Sequence, residues 1–129
     1  MTPPTTPPTT PAEYGEAAAE LIRAINHTTR PGAGHLSVTD LYDLLGALAL
    51  LTGRLPQTLS QVEALIDALV ERHHVIVVDG EHTGDPVAVA AVAGHWLQAA
   101  RTSAARLADA TDRAQQALTW AATPGRPDQ

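Results

Sequence analysis

The sequence predicts an all-α fold: a four-helix bundle-like domain with a long Ala-rich C-terminal helix. Three observations predict it. Apolar residues recur at helical spacing through most of residues 12–122, and Gly and Pro gather into a few short breaks. The 44% apolar content is mostly Ala, Leu and Val with no Phe, a composition that packs by close backbone approach. A chain of 129 residues is long enough for one core and too short for two independent ones. The expected organisation is a disordered Thr/Pro arm over residues 1–11, a single helical domain over 12–122 and a disordered tail over 123–129.

The arm, "MTPPTTPPTTP", alternates residues that favour solvated polyproline II and has neither the basic start nor the apolar run of a signal peptide. From Ala12 the pattern turns helical, with Tyr14, Ala18, Leu21, Ile22 and Ile25 on one face and Glu13, Glu16, Glu20 and Arg23 on the other. Pro31 forbids a helical Arg30, and "TTRPGAGH" ends this first helix. Ser37 is suited to cap a second helix, with Asp40 in the capping-box region. Leu41, Leu44, Leu45, Leu48, Leu50 and Leu51 leave that helix only a narrow polar strip. Gly53 is expected to stop it and Pro56 to open a third helix, on which Leu59, Val62, Leu65, Ile66, Leu69 and Val70 form a stripe. Helices joined by so short a link should be antiparallel neighbours.

Asp85 followed by Pro86 reads as a cap and a first-turn proline, and no proline recurs until Pro124. A fourth helix of about 36 residues, roughly 54 Å, follows. It carries a heptad-spaced, small-residue seam of Val89, Ala93, Trp96, Ala100, Ser103, Leu107, Ala110, Ala114, Ala117 and Ala121. Being about twice the length of its neighbours, it is expected to be covered either by helices spread along it or by a second chain. The residues expected to meet a partner are Trp96, Ala100, Leu107, Ala110, Ala114 and Ala117.

A net charge of −6, with eight Arg, no Lys and no basic cluster, argues against nucleic acid and anionic membranes as partners. The longest apolar run, "LLGALALL", is too short to span a bilayer. The absence of Cys removes disulfides, thiolate nucleophiles and Cys-ligated zinc, and suits a cytoplasmic protein. No GxSxG, phosphate-cradling glycine loop or dinucleotide fingerprint occurs, so no catalytic or cofactor residues are expected.

"ERHHVIVVDGEHTGDP" at 71–86 admits three readings. His73, His74, Glu81 and His82 are ligand-type residues for a metal, with Asp79, Asp85 or His95 in support, but their spacing matches no metal motif. The β-branched run 75–78 and residues 87–92 could instead form a hairpin, so that three helices, a wing and a long helix resemble a winged-helix transcriptional regulator. The supposed recognition helix, however, has only Arg72 as a full positive charge, and "GRLPQ" leaves no room for a middle helix. A polar linker between helices is the favoured reading.

The stretch "DLYDLLGALALLTGRLPQTLSQVEALIDALVERHHV", the junction "GDP" and the helix "VAVAAVAGHWLQAARTSAARLADATDRAQQALTWAA" resemble a group of small actinomycete helical proteins over about residues 36–122. That resemblance implies a helical fold and carries no activity, cofactor or site with it. The expected function is non-enzymatic: a helical protein that self-assembles or docks onto a helical partner, with winged-helix regulator and metal-binding protein as alternatives.

Overall fold

The computed structural model describes residues 6–121. Among them it forms three α-helices and no strand: α1 (Pro11–Thr29), α2 (Val38–Glu71) and α3 (Pro86–Ala117). The chain divides into two compact units, residues 1–37 and 38–129. The tail expected at 123–129 and residues 1–5 of the expected arm lie outside the described residues; residues 6–10 carry neither helix nor strand.

In the first unit Thr10 caps α1. Its side-chain oxygen accepts from the Glu13 amide at 3.2 Å and its hydroxyl donates to the Glu13 carboxylate at 2.9 Å. Pro11 follows at the first turn, where a missing amide hydrogen costs nothing. The helix ends as the sequence predicts, with Arg30 extended (φ −66°, ψ 152°) ahead of Pro31. None of its residues is buried, and Tyr14 and Leu21 are largely exposed.

The second unit corrects the four-helix expectation. The helices expected to part between Gly53 and Pro56 are one helix, α2, of 34 residues. Glycine most often ends a helix by taking the left-handed conformation, and Gly53 is not among the residues with positive φ. Pro56 sits inside the helix, so the Thr52 carbonyl has no amide donor four residues on. That costs about 3 kcal/mol in an isolated helix. A break here would swing half of α2 away from α3, and the burial held along the whole length offsets the penalty.

The burial comes from two matched rows. α2 turns Tyr42, Leu45, Ala49, Thr52, Pro56, Leu59, Glu63, Ile66 and Val70 inward, and none of these is exposed. α3 presents Ala90, Gly94, Leu97, Arg101, Ala104, Ala108, Thr111, Gln115 and Leu118, again with none exposed. Both rows advance by alternating three and four residues, the heptad spacing that keeps one stripe of a helix against a neighbour. The helices run antiparallel: Gln115 Nε2 donates to the Tyr42 carbonyl at 3.2 Å near one end, and Arg101 pairs with Glu63 towards the other. At the centre Thr52 is 8% exposed; its hydroxyl donates to the Leu48 carbonyl at 2.8 Å, so nothing polar is stranded there.

Residues 72–85 connect the two helices. α2 closes in a Schellman turn, with His73 in the left-handed region (φ 58°), its amide donating to the Val70 carbonyl and the His74 amide to the Leu69 carbonyl at 2.9 Å. The hairpin considered for 75–78 and 87–92 is not formed, because 87–92 are the first turns of α3. Asp85 accepts from the Ala88 amide at 3.1 Å and Pro86 occupies the first turn, as the sequence predicts. α3 is shorter than expected, 32 residues, because its last turn tightens: Leu118 and Thr119 donate to the carbonyls of Gln115 and Gln116. Because the two helices expected on either side of Gly53 and Pro56 are one, α3 is matched in length to α2 rather than twice as long.

Replacing Pro56 with Ala should restore the missing bond to the Thr52 carbonyl and stabilise the protein by about 1 to 2 kcal/mol in urea unfolding at fixed chain concentration. A loss of stability would mean that the ring's packing in the inward row outweighs the bond.

Candidate functional site

The inward rows account for only part of the apolar residues on α2 and α3. One position before each inward residue lies a second row. On α2 it is Leu41, Leu44, Leu48, Leu51, Leu55, Thr58, Val62, Leu65 and Leu69; on α3 it is Val89, Ala93, Trp96, Ala100, Ser103, Leu107, Ala110, Ala114 and Ala117. No position in either outer row carries a charge.

Their placement follows from helix geometry. Adjacent residues lie about 100° apart around an α-helix. Seen from one end of the hairpin, a step towards the N-terminus turns one way on α2 and the opposite way on α3, because the helices are antiparallel. Both outer rows therefore look out of the same side. The result is a continuous apolar face two helices wide, on which Leu65 is 64%, Trp96 66% and Leu107 53% exposed. Trp96 is braced from the side by His95, whose ring stands edge-on at 5.2 Å.

The other side of the hairpin has the opposite character. One position after each inward residue come Asp43, Gly46, Leu50, Gly53, Gln57, Ser60, Ala64, Asp67 and Glu71 on α2, and Ala91, His95, Gln98, Thr102, Ala105, Asp109, Asp112, Gln116 and Thr119 on α3, with Leu50 the one large apolar residue among them. Asp109 holds Arg113 at 2.9 Å, and Asp112 accepts from Gln116 at 2.7 Å, each one turn along the same helix. Towards the linker this side carries an open groove of about 640 Å³, lined by Glu63, Asp67 and Glu71 opposite His95 and Gln98. Among the described residues no group of three or more His, Asp or Glu is placed to hold a metal ion. His73 and His74 are spent on the α2 terminus, and Glu81 and His82 lie in the turn beyond it.

The six residues expected to meet a partner are all in the outer row of α3. Trp96, Leu107, Ala110, Ala114 and Ala117 are exposed and Ala100 is half-buried. The row that packs on α2 is displaced by one residue from the expected seam. Sequence reasoning missed it because Arg101, Thr111 and Gln115 interrupt it with polar side chains, although its three-and-four spacing is as regular as that of the outer row. The continuous outer row of α2 was missed for a different reason, since dividing the helix at Gly53 splits it in two.

No family model, curated protein or solved structure matches the chain. No described helix is long and apolar enough to cross a membrane.

The one ion pair between α2 and α3 among the described residues, Glu63 with Arg101, sits in the inward rows with side chains 29% and 26% exposed. Gly94 gives it room, since a Cβ there would lie 2.9 Å from the Glu63 carboxylate. Removing one partner should cost more than removing both. Arg101→Ala is expected to lower stability by about 1 to 3 kcal/mol, while the double change Glu63→Leu with Arg101→Met should be close to neutral, as read by urea unfolding in a double-mutant cycle.

Proposed function

We propose that the chain is a non-enzymatic association protein whose contact surface is the apolar face of the α2–α3 hairpin. The observation that carries this reading is the charge-free pair of outer rows on one side of a hairpin whose other side is acidic and polar. Contiguous apolar faces of this extent are uncommon on monomers, and they mark sites that another surface covers. A fully covered Leu side chain contributes about 1.5 to 3 kcal/mol relative to an exposed one, and the α2 row holds many. Both helices are already paired along their inward rows, so the outer rows can associate without rearranging the hairpin.

The test compares two exposed leucines on opposite sides. Purified protein at about 100 μM should scatter as an assembly larger than one 13.5 kDa chain. Leu65→Glu, in the outer row, should reduce it to a single chain, whereas Leu50→Glu, 56% exposed on the polar side, should leave the mass unchanged. Both variants should keep their helix content by circular dichroism. A wild-type chain that is monomeric and binds no hydrophobic dye would overturn the reading.

A further inference from the structure

We infer that the occupant of the apolar face is a second copy of this chain, packed face to face with its two-fold axis parallel to the helices, so that α2 of each copy lies over α3 of the other. The inference rests on the association reading above and adds to it the identity and arrangement of the partner.

Three properties of the face select this occupant. The first is extent. α2 and α3 have 34 and 32 residues, giving a face about 50 Å long and about 20 Å wide, on the order of 1,000 Å² per copy. Stable interfaces need roughly 800 Å² per partner. A second hairpin matches that length throughout, whereas α1, at 19 residues or about 28 Å, spans little more than half of it. The second is charge. At a net charge of −6 two copies repel, but the acids Asp43, Asp67, Glu71 and Asp112 all project from the far side, and the face itself opposes no like charges.

The third is size. The α2 row is built of large side chains and the α3 row mostly of Ala, so large over small interdigitates where Leu over Leu and Ala over Ala would leave gaps. Of the two face-to-face arrangements with two-fold symmetry, only an axis parallel to the helices sets large on small; an axis across the helices stacks α2 on α2. The parallel axis also preserves height along the bundle. Gly53 lies beside Ala108, where an added Cβ would come within 3.9 Å of the Ala108 Cβ, and this contact sets which residues of one chain are level. It follows that Leu44 lies opposite Ala117 of the second copy, and Leu51 opposite Ala110 of the second copy.

The chain has no cysteine, so introduced thiols report only on their own positions. Under mild oxidation Leu44→Cys combined with Ala117→Cys should give a band at twice 13.5 kDa on non-reducing gels, and each single variant should not. Leu51→Cys combined with Ala110→Cys is the second pair and should behave alike if the first fails to fold. Leu55→Cys, at the middle of α2, should stay uncrosslinked, because only the α2-on-α2 arrangement brings it to its own copy. Efficient Leu55→Cys crosslinking would overturn the arrangement. A monomeric wild-type chain with no crosslinking from either pair, but with strong hydrophobic-dye binding lost in Leu65→Glu, would overturn the second copy while leaving the association reading in place. The same chain without dye binding would overturn both.

Discussion

Two helices side by side can each bury only one row of side chains against the other, and the design of residues 38–129 is governed by that limit. Small residues on α3 let the helices approach, and only Thr52, Ala90 and Ala104 are buried among the described residues. A core so thin leaves most of the leucines of α2 without cover, which is the physical origin of the apolar face. The hairpin thus has one apolar side and one polar side.

A seam of Ala, Gly and Leu distinguishes poorly between one register and the next turn. The polar contacts along it are specific in a way the apolar ones are not. Glu63 meets Arg101, and Gln115 meets the Tyr42 carbonyl, only at the observed alignment; sliding α3 by a heptad would strand a half-buried carboxylate. The residues that made the inward row of α3 hard to recognise are therefore the ones that hold it in place.

This explains what could and could not be read from the sequence. The ends of elements set by local chemistry were legible: Pro31 after α1, and Asp85 with Pro86 before α3, act through their own backbone and need no neighbour. The division at Gly53 and Pro56 failed because a local penalty was weighed without the burial that a continuous α2 gains from α3, an energy that only the partner helix supplies. The phase of α3 failed because each helix has two adjacent apolar rows, and periodicity defines the apolar arc but not which edge of it the chain uses internally. The fold class and the residues of the outer α3 row were within reach; the opposite row of α2, and the fact that the two face the same way, needed the antiparallel geometry.

The connection over residues 72–85 also orders the way the hairpin comes together. Sequence separation grows with distance from it: Arg101 and Glu63, towards the connection, are 38 positions apart, while Gln115 and Tyr42, at the far end, are 73 apart. Each pairing formed near the connection shortens the loop that the next one must close, so the entropy cost of closure is smallest beside the His73 turn and grows outwards. The longest closure is thus the one between Tyr42 and Gln115, and the polar bond there fixes the end of the hairpin that the connection constrains least.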